Sequence, residues 1–160
     1  GTDASKAIAA AVELGLELGQ LFLTHTHLDH IIDRAAVEGH HDDLRTYVSA
    51  LEPAAGAVRF QPGDCFTIGA LQISTRLTKG HSPGGITYVI EGLERPVAIA
   101  GDALFAQSMG GGMISHQDAL ATNRSELFTL ADHTVVCPGH GPMTSVGEEK
   151  AHNPFYPEFK

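Results

Sequence analysis

Apolar residues recur at helical spacing in the first third of the chain and alternate with polar ones over short stretches in the rest. The sequence Thr2-Asp3-Ala4-Ser5 is a cap signal for an Ala-rich helix over 6–18, ending near Gly19. A short strand is predicted at 21–24, then a helix running to about Gly39. A further helix is predicted over 42–52, capped by Asp42 or Asp43 and stopped by Pro53, with Leu44, Tyr47, Val48 and Leu51 on one face. From residue 57 the period shortens. Strands are predicted at 57–60, 65–68, 71–77, 86–90, 97–100 and 134–137, separated by Pro and Gly breaks and interrupted by one helix near 117–130.

At 160 residues and 42% hydrophobic content the chain reads as one globular domain able to bury a real core. No apolar run approaches the ~20 residues that cross a bilayer, and nothing resembles a signal peptide, so a soluble cytoplasmic protein without a membrane partner is expected. Cys65 and Cys137 are far apart and lack C-x-x-C spacing, which predicts free thiols, Cys137 as a small buried hydrophobe. The formal charge is −9, with no basic cluster, and this argues against nucleic acid as a partner. Oligomeric state is not encoded in these features.

Chemistry concentrates in Thr24-His25-Thr26-His27-Leu28-Asp29-His30. At the end of a strand, residues two apart point the same way, so His25, His27 and Asp29 project together. His30 joins them only if the chain turns at Asp29, a good N-cap for the next helix. Imidazoles with a carboxylate suit zinc, iron or manganese. Three later segments share one design, an apolar strand ending in a Gly-flanked His or Asp: Lys79-Gly80-His81-Ser82-Pro83-Gly84-Gly85, Ala100-Gly101-Asp102, and Pro138-Gly139-His140-Gly141. Glycine beside each candidate lets the backbone come close to an ion. The seven candidates exceed what one tetrahedral ion takes, but two ions sharing a bridging carboxylate would use them all.

The other histidines, His40, His41, His116, His133 and His152, read as surface residues. Lys79, Tyr88 and Ser108 are weak substrate-contact candidates, better explained by solvation, packing and turn formation. Gly110-Gly111-Gly112 has neither a preceding strand nor a following Lys-Ser/Thr and is not a phosphate loop.

The ordered series H-x-H-x-D-H, G-H, G-D and P-G-H-G resembles the metallo-β-lactamase superfamily of metallo-hydrolases over nearly the whole chain, and residues 144–155 resemble the tail of its glyoxalase II-like branch. The resemblance implies an α/β four-layer αβ/βα sandwich with the metal site where strand ends meet. It implies one metal on His25, His27 and His81, another on Asp29, His30 and His140, and Asp102 between them. The implied activity is hydrolysis of a thioester or related ester or lactone, with two divalent ions, zinc foremost, a small-molecule substrate and Asp29 as general base. Persulfide dioxygenases also resemble the pattern, with one iron on His25, His81 and Asp102. A non-catalytic metal-binding fragment is a further alternative, because members of the family open with strands that are absent here. The domain is therefore expected to be N-terminally truncated, with the strand at 21–24 lacking neighbours. Gly85 stands where glyoxalase II-like proteins tend to carry a second His, and 108–115 departs from their usual segment.

Overall fold

The structure, a computed structural model, describes residues 3–159; Thr2 of the expected cap signal lies outside them. Helix α1 (Ser5–Glu13) opens the chain. It stops before the expected 18 because Gly15 takes a left-handed φ of 63° and the Gly15 and Leu16 amides turn back onto Val12 and Ala11 carbonyls. Strand β1 (Gln20–Phe22) follows. The single helix expected after it is two short ones, α2 (Leu28–Ile31) and α3 (Arg34–Glu38). Asp33 lies between them and accepts the Ala4 amide at 2.8 Å, which fastens α1 to this layer.

The largest correction falls on 42–52. Instead of a helix it forms strand β2 (Arg45–Ser49), paired in parallel with β1 on one side and β3 (Val58–Phe60) on the other. Leu44, Tyr47, Val48 and Leu51 do have helical spacing, but Thr46-Tyr47-Val48 is β-branched and aromatic. Val48 is fully buried, while the Tyr47 ring stacks on Phe22 at 4.9 Å. A central strand covered on both faces shows no clean alternation, which is why a helical period could be read into it. The strand at 21–24, expected to lack neighbours, thus pairs with β2; its other edge meets no strand among the described residues.

The second sheet is six-stranded and mixed, in the order β4 (Cys65–Ile68), β5 (Leu71–Leu77), β6 (Ile86–Glu91), β7 (Val97–Gly101), β8 (Val135–Pro138), β9 (Thr144–Ser145). Strands β4 and β5 coincide with their expected ranges. Between the sheets Phe22, Tyr47, Phe60, Phe66 and Tyr88 form an aromatic core with Ile73 and Ile86. The Tyr88 hydroxyl donates to the Leu23 carbonyl at 2.6 Å and ties the sheets together, and its burial pushes the phenol's pKa up. Helix α4 (His116–Thr122), capped by the Ser115 hydroxyl on the Asp118 amide, continues as a π-helical turn (Asn123–Leu127). With α5 (Val146–His152) these cover the far face of the large sheet, over Leu104, Leu127, Val136 and Val146. Helix α5 carries a readable signal, Ser145 capping the Glu148 amide in an S-x-x-E pattern. Helices thus flank two packed sheets, and no helix among the described residues is long and apolar enough to cross a membrane.

Candidate metal centre

Every strand that was expected to deliver a ligand ends at the same rim, and the structure brings all seven candidates together there. The chain leaves β1, turns at His27 and enters α2, so His27, not Asp29, stands at the N-cap position, with extended φ and ψ of −64° and 147°. The turn comes two residues earlier than expected and carries His30 back toward His25, the two rings lying 4.1 Å apart. Donor atoms fall into three overlapping sets in which each lies within 4.8 Å of the others: His25, His27 and His81; His25, His30 and Asp102; Asp29, His30 and His140.

Asp102 follows β7 directly and spans the sets. Its Oδ1 lies 3.3 Å from His30 Nε2, and its Oδ2 lies 3.4 Å from His81 Nε2 and 3.6 Å from His140 Nε2. Asp29 Oδ2 is 3.1 Å from His140 Nε2 and 3.5 Å from His30 Nε2. Gly139 permits the approach. A Cβ there would stand 2.2 Å from Asp102 Oδ1 and 2.6 Å from His30 Cε1, so any side chain would displace the carboxylate.

Ring orientation is fixed from outside the cluster. His81 Nδ1 lies 2.8 Å from the Gly111 carbonyl, which can only accept, so Nδ1 carries the proton and Nε2 turns a lone pair to the centre. This gives the triple-glycine run a role that its failed phosphate-loop pattern did not suggest. His25 Nδ1 faces the Thr24 hydroxyl at 3.2 Å, which leaves Nε2 pointing inward. That Nε2, His30 Nε2 and Asp102 Oδ1 are all buried without a hydrogen-bond partner. Three orphaned donor atoms aimed at one another are costly in a protein interior unless something charged joins them, and the set fits divalent cations.

The electrostatics agree. Burial first, then the neighbouring His30, lowers the His25 pKa to about 4, so the ring is neutral and ready to ligate near pH 7. Burial alone would raise Asp102, but His30, His25 and His140 outweigh it and hold the carboxyl below its ordinary range. Asp29 is also held low, its desolvation outweighed by a backbone amide and by His30 and His140.

Of the weaker candidates, Tyr88 is spent on the Leu23 carbonyl, Lys79 pairs with Asp118 at 3.2 Å, and Ser108 closes a turn with Phe105. His41 is half-buried and pairs with Glu17 at 2.9 Å, and His152 lies 3.7 Å from Glu148. Cys137 is only half-buried, its thiol pushed up by desolvation. Sequence reasoning missed Glu52, placed near the end of a helix that does not exist. It is 1% exposed and accepts from the Thr26 amide and hydroxyl and from the Gly84 amide. Those bonds outweigh its desolvation and keep it ionised.

Known proteins resemble this chain in sequence and shape. The sequence profile described as "Metallo-beta-lactamase superfamily" matches residues 1–140. A "Probable metallo-hydrolase M6_Spy0554" of Streptococcus pyogenes is 30% identical, over 98% of this chain and 78% of its own. "Hydroxyacylglutathione hydrolase GloC" of Haemophilus influenzae is 29% identical, over 97% of this chain and 84% of its own. Among solved structures, "BLEG-1 B3 metallo-beta-lactamase" superposes with a TM-score of 0.83 at 30% identity, covering 96% of this chain and 84% of that one. "ETHE1 from Myxococcus xanthus" also scores 0.83, at 29% identity, covering 94% and 68%.

Proposed function

The chain belongs to the metallo-β-lactamase superfamily, and on that premise we propose that it is a metal-dependent hydrolase of a thioester or related ester or lactone. In this reading His25, His27 and His81 hold one divalent ion, Asp29, His30 and His140 hold a second, and Asp102 bridges them. Zinc is the first choice for donors that are mostly imidazole. The substrate is a small molecule; a net charge of −9 without a basic cluster gives no purchase for nucleic acid.

The observation that carries the reading is Asp102. Its carboxylate meets both halves of the cluster at 3.3–3.6 Å, Oδ2 lying between His81 of one and His140 of the other and Oδ1 facing His30, and its Oδ1 has no hydrogen-bond partner. Two ions bound there would supply a water of lowered pKa and polarise the scissile carbonyl. Everything else is the chain's own work. Asp102 keeps the two halves in register, and the Gly111 carbonyl fixes the His81 tautomer. Asp29, with 48% of its side chain exposed at the rim, stays ionised and is placed to orient the attacking water and take its proton.

The similarity to GloC supports the thioester. The similarity to the human "Persulfide dioxygenase ETHE1, mitochondrial", 29% identical over 89% of this chain and 58% of its own, supports a second reading, persulfide dioxygenation with one iron on His25, His81 and Asp102, two of which lie 3.4 Å apart. The full second triad favours two ions. Elemental analysis of protein purified without chelators, followed by thioester and lactone panels, tests the choice. Near two ions per chain with hydrolysis is expected. One iron with oxygen consumption replaces the hydrolase by the dioxygenase, and a folded protein that binds no metal overturns both.

A further inference from the structure

Two turns deliver the donors of the inner triad. The turn after β1 carries His25 and His27 on either side of Thr26, and the turn between β5 and β6 carries His81, three residues before Gly84. His27 and His81 are 54 residues apart in sequence, yet His27 Nδ1 and His81 Nε2 stand only 2.9 Å from each other. Two ligand nitrogens at that distance keep it only if the turns behind them are held in register.

One side chain joins those turns from behind. Glu52 Oε2 accepts the Thr26 amide at 3.1 Å and the Thr26 hydroxyl at 2.7 Å, while Oε1 accepts the Gly84 amide at 2.8 Å. The side chain is 1% exposed, so it is a buried charge satisfied entirely by donors from the two turns. Its backbone is anchored in turn, its amide donating to the Ser49 carbonyl at the end of β2. The neighbouring Leu51 packs where a Cβ on Gly84 would stand, 2.5 Å from that position. A buried ionised group is costly to desolvate, and a purely structural tie could be made more cheaply with apolar contacts.

We propose that Glu52 is a positioning residue for the inner metal site: its carboxylate clamps the His25/His27 turn to the His81 turn and sets the spacing of their three ring nitrogens. This rests on reading the cluster as a two-ion centre. The outer donors Asp29 and His30 come from α2 and His140 from the segment after β8, whereas the Glu52 carboxylate's hydrogen bonds among the described residues go to Thr26 and Gly84. The clamp is therefore specific to one half of the centre.

Glu52→Gln is the decisive variant. It keeps the shape, but in the wild type each carboxylate oxygen accepts from one of the two turns, and the amide group that replaces one oxygen would face a backbone or hydroxyl donor. The variant thus holds one turn and releases the other. Thr26→Val removes only the hydroxyl bond, and Thr26→Ser restores it. Metal-free wild type, these variants and Leu127→Ala, a destabilised control buried in the opposite core, are titrated with zinc alone, and amide hydrogen exchange is followed at Thr26 and Gly84 without metal.

The expected result is that Glu52→Gln weakens one of two zinc ions about tenfold or more, as outer partners of metal ligands do, and leaves the other unchanged. Thr26→Val gives a smaller loss of the same ion, Thr26→Ser none, and Leu127→Ala none. The Thr26 or Gly84 amide exchanges faster in Glu52→Gln than global destabilisation in the control accounts for. Equal weakening of both ions, or of neither, overturns the positioning role while the two-ion reading stands. A wild type that takes up no zinc overturns the two-ion reading and the metal part of the proposal, and the exchange rates then decide whether the clamp itself exists.

Discussion

The two halves of the centre are built differently. The inner half is His25, His27 and His81. His25 is 2% exposed, the His81 side chain is 12% exposed, and the turns that carry them are tied from behind by Glu52 and, through His81 Nδ1, by Gly111. In the outer half only His30 is well buried; Asp29 and His140 keep 48% and 53% of their side chains in solvent and meet each other at 3.1 Å, with His30 and Asp102 as their further polar neighbours at 3.5 and 3.6 Å. Burial and external ties preorganise the first set before any ion arrives, while the second is set by its own members. In the proposed chemistry such a division suits a fixed inner site that anchors and an open outer site that meets substrate and water.

Replacing Asp102 attacks the join between the halves, and has the largest expected effect. Asp102→Asn keeps the side chain's size but removes the charge and one of two acceptors that face His30 on one side and His81 and His140 on the other. Both ions should bind more weakly, and hydrolysis by the loaded protein should fall about a thousandfold. Metal content and turnover of the variant measure this. Loss of a single ion with the other intact would show that the halves are independent and that Asp102 is not a bridge.

Acid separates the halves without mutation. In the metal-free protein the His25 pKa is about 4 in the folded state against 6.5 in an open chain. Between those values the unfolded chain binds a proton that the folded one refuses, so unfolding becomes easier as the pH falls from about 6.5 to about 4. The whole window is worth about 3 kcal/mol. Asp29 and Asp102 are also shifted down, below the ordinary carboxylate range, so their stabilising contribution is still present through most of this window and is lost only at lower pH. Denaturant melts of metal-free protein at pH 7 and pH 4.5 test the sign. Equal stability at the two would show that His25 is not held neutral by burial.

How far the sequence could be read depended on whether the deciding partner was local. Strands β4 and β5 were legible because Gly and Pro bracket them and each strand's own residues suggest its period. Strand β2 was not, because Leu44, Tyr47, Val48 and Leu51 satisfy a helical period and only pairing with β1 and β3 makes the segment a strand. The missing neighbour of β1 was hidden by the same error. In the centre, the seven candidates could be gathered because His25, His27, Asp29 and His30 follow one short strand within a few residues and His81, Asp102 and His140 each follow a strand and a glycine. The atoms that aim them could not: His81 takes its tautomer from Gly111, 30 residues on, and Thr26 and Gly84 take their shared partner from Glu52, 26 and 32 residues away. An acid beside a proline in an apparent helix carries no local mark of that duty.

The smallest expected effect is the sharpest test of the contrast between the halves. His140→Ala removes a side chain that is more than half exposed and whose polar contacts are all to other members of the cluster, Asp29 and Asp102. Its ring edge meets Phe105 only at a centroid distance of 6.0 Å, so little packing is lost. The metal-free variant should therefore melt within about 0.5 kcal/mol of wild type, as surface substitutions do, while zinc titration loses the outer ion. A loss of metal-free stability as large as that of a buried side chain would mean that the outer half is also preorganised by packing, and the division between an anchored site and an open one would have to be abandoned.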